Sequence, residues 1–366
     1  MNSEIFYRIA LRHVGGVGPA TQKKMLQLSG SATAMFEEPE RWMSKIVRKG
    51  KTVPRLVISD EVRRIVDKEL NIMARHDIKL SFFLDADYPF RLKNCSDAPL
   101  SFFYKGESDF NRPHVLAIVG TRNASEYGRA CVRKLLSELQ GFDLVTVSGL
   151  AYGIDTEAHS RSLEYGIKTM AIMGCGLSTI YPRLNMSLAN QILEQGGALI
   201  SEYDYDVAPD RQNFPKRNRI VAGMADAVLV AESAAKGGSM ITAYIAQSYN
   251  RDVFAFPGLI FDENHLGCHD LVRKNVAALI TSGQELVEMM NWESQPAKAV
   301  QTSLFIDLTS EEQQVVDLIR GAREVSIDVL SENLPAFSPS KLAGILLGLE
   351  LKGVLDCKPG KMYSLV

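Results

Sequence analysis

Val115-Leu116-Ala117-Ile118-Val119-Gly120-Thr121-Arg122 decides the fold of this chain. Its apolar run reads as a strand buried on both faces, because a half-exposed strand would alternate with polar residues. The run stops at a glycine turn, and a helical pattern follows over Tyr127–Leu139. The same unit recurs downstream. Apolar runs stand at Leu144–Val147, Thr169–Met173, Ala198–Ile200, Ala227–Val230, Val253–Phe256 and Ala277–Ile280. Helical patterns at Asp155–Tyr165, Met186–Leu193 and Ser239–Tyr249 fill gaps between them. Strands alternating with helices predict a parallel sheet covered on both faces, and right-handed crossovers make it doubly wound. Ligands of such sheets sit at the carboxyl ends of the strands. Gly120-Thr121-Arg122, Ser148-Gly149-Leu150, Gly174-Cys175-Gly176 and Gly237-Gly238-Ser239 all fall there, so these loops are expected to converge on one crevice.

On the amino side, Leu80–Leu84 and Leu100–Tyr104 read as two strands joined by a loop through Tyr88-Pro89. Residues 1–75 read as a helical domain. Within it, Val14-Gly15-Gly16-Val17-Gly18-Pro19-Ala20-Thr21 with Lys23-Lys24 resembles a helix-hairpin-helix turn, whose glycine amides would meet a phosphate at a helix N-terminus. A tight glycine turn between two packed helices explains the same residues, and the sequence leaves both open. On the carboxyl side, the domain over 76–292 gives way to a polar linker over 293–309. Residues 310–366 then give three helical stretches and a hairpin, the pattern of a winged helix. Its third helix, Leu342-Ala343-Gly344-Ile345-Leu346-Leu347, is poor in cations for a recognition helix, so a protein-binding or structural role competes with DNA binding.

The net charge is only −2, so any nucleic-acid site must be a local patch rather than a basic surface. The five cysteines are scattered without a C-x-x-C pair, which points to a reduced, cytoplasmic protein and away from a zinc ribbon. No signal peptide is read at the amino terminus, and no apolar run is long enough to span a bilayer.

The local patch is Gln212-Asn213-Phe214-Pro215-Lys216-Arg217-Asn218-Arg219-Ile220. Charge runs are usually solvated helix faces. Here Pro215 marks a helix start, and cations at a helix start oppose the macrodipole unless an anion arrives. Lys236-Gly237-Gly238-Ser239-Met240-Ile241-Thr242 adds a glycine turn of the kind that wraps a phosphate, and Arg122 is expected to reach an anion at the helix start after Gly120. Neither G-x-G-x-x-G nor G-x-x-x-x-G-K-[ST] nor G-x-S-x-G occurs. His265-Leu266-Gly267-Cys268-His269 looks superficially like a metal site, but adjacent ligands converge poorly on one ion and no second cluster completes it. Asp155 and His159, four apart on one helix, could form an acid–base pair, but a helix N-terminal aspartate with a hydrogen-bonded histidine is the commoner arrangement.

Together these segments resemble the DNA-processing protein A family (DprA, also called Smf). The pieces run in order: Ala117–Arg122 with Tyr127-Gly128, Val147–Asp155 with Ala158-His159, and Gly174–Leu177 with Tyr181-Pro182 and Asn185. Ser201-Glu202, Phe214–Ile220, Gly238-Ser239 with Ile241–Ala243, and Val253–Gly258 complete them. The resemblance implies an extended Rossmann-like domain flanked by an N-terminal SAM/helix-hairpin-helix-like domain and a C-terminal winged helix. It implies a cytoplasmic homodimer, without cofactor or catalytic residues, that binds single-stranded DNA and helps load the RecA recombinase during natural transformation. The DNA site would comprise Arg122, Arg183, Phe214, Lys216, Arg217, Asn218, Arg219 and the Gly237-Gly238-Ser239 amides. The family's usual Ser-Gly-Ser is here Gly237-Gly238-Ser239, and its usual asparagine is His269, a change that touches the expected dimer and RecA-facing surface.

The competing readings are a nucleotide-binding scaffold and a phosphoribohydrolase on the same phosphate cradle. Such hydrolases carry P-G-G-x-G-T-x-x-E, and the position of their acid–base glutamate is here Ile245.

Overall fold

The computed structural model describes residues 3–39, 42, 56–107, 109–292, 308–320, 325–352, 354–358 and 362–365. The chain divides into two compact units, Met1–Gln295 and Pro296–Val366. The linker expected over 293–309 lies outside the described residues except for Leu308 and Thr309.

The first unit is built on a nine-stranded sheet of order β1-β2-β6-β5-β4-β3-β7-β8-β9. The strands are β1 (Lys79–Phe82), β2 (Ser101–Gly106), β3 (His114–Gly120), β4 (Leu144–Ser148), β5 (Lys168–Met173), β6 (Ala198–Ser201), β7 (Ala227–Glu232), β8 (Asp252–Ala255) and β9 (Ala278–Leu279). From β6 to β9 every pairing is parallel. The β1–β2 hairpin extends the sheet antiparallel to β6, an edge addition that the strand runs do not specify.

Alternation along β3 explains the two covered faces. Val115, Ala117 and Val119 pack with Ile220, Val221, Met240 and Ala243 from the helices Asn213–Met224 and Gly238–Ser248. Leu116 and Ile118 point the other way, onto Val132, Leu135 and Leu136 of the helix Glu126–Glu138. Period-2 side chains buried on both faces make the continuous apolar runs seen in the sequence. Strand order reverses between β3 and β7, so the topological switch point lies between Gly120 and Glu232.

The helices Ser3–His13, Pro19–Ser29, Ala32–Glu37 and Asp60–His76 pack against the β1–β2 edge. Ile9, Val66 and Met73 share a core with Phe103, and Leu11, Met25 and Met35 share another with Phe82 and Leu100. At the glycine turn, Gly18 N-caps Pro19–Ser29 without a side-chain bond, while Lys23 lies over the Phe83 ring and donates to the Ser96 carbonyl.

The second unit contains the helices Ser310–Arg320, Ile327–Asn333 and Pro339–Leu351 and a three-stranded sheet of order β10-β12-β11 (Val325–Ser326, Met362–Leu365 and Leu355–Lys358). Thr309 and Glu312 bond reciprocally across the first helix start, a capping box. Val315, Ile319, Leu330, Leu342, Leu346 and Leu349 form its core. Three of the third helix's leucines are thus spent on packing, and its Lys341 pairs with Glu311. Among the described residues, no helix is long and apolar enough to cross a membrane.

Candidate nucleic-acid interface

A cleft of about 430 Å³ opens at the switch point. Its wall includes the turn after β3 (Gly120, Thr121, Arg122), the face of the helix Asn213–Met224 bearing Phe214, Arg217 and Asn218, and the turn Gly237-Gly238-Ser239. Sequence order and sheet order conspire here: residues about a hundred positions apart meet because β3 and β7 are neighbours.

The helix Gly238–Ser248 points its N-terminus into the cleft, with Gly237 as N-cap and no side-chain cap bond. The amides of Gly238 and Ser239 therefore lack intrahelical acceptors and, with the macrodipole, favour an anion. No heavy atom lies within 4 Å of where a Cβ would stand on Gly238, so the backbone there is bare. Ser239 Oγ donates to Ser233 Oγ at 2.8 Å, which fixes the turn.

Arg217 is the floor. It is 5% exposed, and its Nε has no hydrogen-bond partner. Burial lowers its pKa, opposed by the nearby Asp155 carboxylate, yet arginine stays charged in proteins. Leaving such a donor unsatisfied costs about 1–3 kcal/mol. Gly149 makes room for it, since a Cβ there would overlap the guanidinium. Asp155 is itself committed, accepting from the Gly149 amide at 3.1 Å and the Ala151 amide at 3.3 Å. Its pKa is raised by burial and pulled back by Arg217.

Phe214 lies against Gly174, where a Cβ would come within 2.7 Å of the ring. Its ring is half-buried, with the Arg122 guanidinium carbon 5.4 Å from its centroid and the Tyr181 ring 5.5 Å away. An aromatic face with a flanking cation is what a nucleobase stacks on.

The expected site residues separate into three groups. Arg122, Phe214, Arg217, Asn218, Gly237, Gly238 and Ser239 come together in the cleft. Lys216 is exposed on the same helix and Arg183 is exposed on the short turn after Pro182, and neither lines the cleft. Arg219 is turned away: its Nη2 donates to both Glu202 carboxylate oxygens at 2.5 Å and its Nη1 to the Asp97 carbonyl at 2.7 Å. Sequence reasoning missed Arg211, Tyr181 and Thr242, which also line the cleft.

One local reading is corrected. The helix after Gly120 starts only at Glu126, and its N-terminus is already filled: Ser125 Oγ accepts from the Gly128 amide and the buried Glu232 carboxylate accepts from the Ser125 amide. Arg122 therefore turns to Phe214 rather than to an anion at that helix. Of the two readings of Asp155 and His159, the structure shows the aspartate in the first turn of the helix and the histidine hydrogen-bonded elsewhere, His159 Nδ1 lying 2.7 Å from Thr169 Oγ1 in the buried core. In the helix Asn213–Met224, which begins two residues before Pro215, the proline occupies the first turn where its missing N–H is harmless.

Fold and site define a Rossmann-like α/β protein with an anion-receptive, aromatic cleft at its switch point. The family model for DNA recombination-mediator protein A matches residues 79–291, and the model for the DprA winged helix domain matches residues 296–361. The chain is 43% identical over 204 residues to DNA processing protein DprA of Streptococcus pneumoniae, covering 56% of this chain and 71% of that one. The X-ray structure of DprA from Streptococcus pneumoniae superposes with a TM-score of 0.63 at 34% identity, covering 79% of this chain and 99% of that one. A structure of DNA processing protein A from Helicobacter pylori, described as revealing a unique single-stranded DNA binding mode, gives a TM-score of 0.53 at 29% identity, covering 59% and 98%. This chain belongs to the DNA recombination-mediator protein A family.

Proposed function

We propose that this chain binds single-stranded DNA, without regard to sequence, in the switch-point cleft. The observation that carries the reading is Arg217: a buried cation with an unsatisfied donor, set beneath a bare helix N-terminus and beside Phe214. Phosphate meets the floor and the helix amides, and a base stacks on Phe214 under Arg122. A duplex keeps its bases stacked on each other, so single strands are preferred. The cleft works by binding alone, without turnover. Ile245, at the place of the hydrolases' glutamate, packs half-buried against the core and offers no acid.

The family extends the proposal to loading of the RecA recombinase in DNA uptake and recombination, in the cytoplasm, by a homodimer joined through the Rossmann-like unit. The exposed run Leu259, Ile260 and Phe261, 70%, 69% and 94% exposed, supports a protein-facing surface on that unit. A competition assay with single strands, duplexes of equal length and nucleoside monophosphates tests the reading. Single strands are expected to bind most tightly and the monophosphates to remain intact. Equal binding of duplex, or release of free base, would contradict it.

A further inference from the structure

The segment between β6 and the cleft helix is gripped from the N-terminal helices. Arg12, in the last turn of Ser3–His13, donates Nη2 to the Glu202 carbonyl at 2.5 Å and Nε to Asp204 at 3.3 Å. Its Nη1 reaches the Ser101 carbonyl and hydroxyl, both at 3.1 Å, and the guanidinium sits 4.7 Å above the Phe103 centroid. One side chain thus fixes the end of β6 to β2. The grip continues along the segment: Glu69 accepts from the Tyr205 amide at 3.4 Å, His76 stacks on Tyr205 at 5.0 Å, and Lys68 pairs with Asp206 at 2.8 Å. On the other side, the Glu202 carboxylate holds Arg219, which lies on the same helix as Phe214 and Arg217. Tyr203 adds a bond from its hydroxyl to the Asn213 carbonyl at 3.4 Å, at the start of that helix.

We propose that Arg12 and Arg219 are positioning residues for the cleft, joined through the two ends of Glu202. Arg12 fixes the Glu202 backbone and the Glu202 carboxylate fixes Arg219, so the N-terminal helices set the placement of Phe214 and Arg217. The proposal rests on the single-strand reading above. It assigns the N-terminal helices a part in DNA binding that requires no contact between them and DNA. It also divides one run of cations: Arg217 meets phosphate, and Arg219 holds the helix that carries it. Arg219 suits this role because its planar guanidinium spans two partners at once, Nη2 on the Glu202 carboxylate and Nη1 on the Asp97 carbonyl, which a lysine's single ammonium would not reproduce.

The sign of one substitution decides it. If Arg219 were a phosphate ligand held in reserve, Glu202→Gln would free it, remove a nearby negative charge and tighten binding. If the pair positions the helix, Glu202→Gln weakens binding by roughly fivefold, the size of coupling usual for groups in one network. The assay is fluorescence-anisotropy titration of a labelled oligonucleotide across a salt series, on the full chain, with folding checked by circular dichroism. Expected are similar losses for Glu202→Gln, Arg12→Gln and Arg219→Gln, salt slopes equal to wild type, and a double Arg12→Gln/Arg219→Gln variant no worse than roughly the poorer single. Unchanged or tighter binding by Glu202→Gln, full affinity in Arg12→Gln, or a slope reduced by about 0.7 in Arg219→Gln would overturn it, the last by making Arg219 a phosphate contact. Should Glu202→Gln fail to fold, Arg219→Lys carries the test, with weakened binding expected and wild-type binding contradicting. Failure of the wild-type protein to bind any single strand is a separate outcome, which removes the functional reading itself.

Discussion

Two buried arginines sit at opposite ends of the same sheet. Arg91, 3% exposed, lies at the amino ends of the strands and is ion-paired: Nε pairs with Asp226 at 2.5 Å and Nη2 donates to the Arg112 and Pro113 carbonyls, leaving only Nη1 without a partner. Asp226 in turn accepts from the Val115 amide at the start of β3. Arg217, 5% exposed, lies at the carboxyl ends, and no carboxylate forms an ion pair with it among the described residues. Burial alone therefore says little about an arginine's role. A buried cation whose charge is matched by a carboxylate ion pair within the chain fastens the fold, and one without such a pair at a cleft is set for an anionic ligand.

Replacing each arginine by methionine sharpens that contrast and should give the largest effects. Arg91→Met strands Asp226 and is expected to cost about 3 kcal/mol of stability in urea melts. Arg217→Met is expected to change stability less than Arg91→Met, because the desolvated charge it removes offsets the attraction that Asp155 loses, while weakening single-strand binding by about 2–5 kcal/mol. If Arg217→Met instead unfolds the protein and binding by the folded fraction persists, the contrast is wrong. Next in size is Phe214→Ala, expected to lose about 1–3 kcal/mol of binding with an unchanged salt slope, since stacking releases no counterions.

The third effect concerns His159, buried beneath the cleft. Burial, and then the Arg217 charge, push its pKa down to about 3 from an ordinary 6.5. Below pH 6.5 the unfolded chain takes up a proton that the native state refuses. The stabilisation is therefore complete above that pH and is lost as pH falls towards the folded value, at up to about 1.4 kcal/mol per unit. Between pH 7 and pH 5, wild type should lose about 2 kcal/mol more than His159→Leu in urea melts. Parallel losses would show that His159 is not held neutral by its surroundings.

The sequence made the sheet legible because strands buried on both faces leave uninterrupted apolar runs, as in Val115–Val119, and glycine turns mark their carboxyl ends. It made the cleft helix legible through Phe214 and the cation run, but not the partition of that run. Helical period held the missing signal: at 100° per residue, Phe214, Arg217 and Asn218 share one face, and Lys216 and Arg219 lie opposite. The partner of Arg219 was beyond local reading, since Glu202 comes from the end of β6. The same holds for Glu232, which fills the helix start after Gly120 from 107 residues away. Such pairings depend on which strands become neighbours, and apolar runs do not encode strand order. The β1–β2 edge addition was hidden for the same reason.

The most direct test of the central claim is the salt dependence of single-strand binding for wild type, Arg122→Ala and Arg211→Ala, two exposed cleft cations outside any ion pair among the described residues. Each variant is predicted to bind more weakly; Arg211→Ala should flatten the slope of log affinity against log salt by about 0.7, the value for one phosphate contact on a single strand, and Arg122→Ala should flatten it less, because that guanidinium covers the stacked base. Slopes and affinities equal to wild type in both would contradict the placement of phosphate in this cleft.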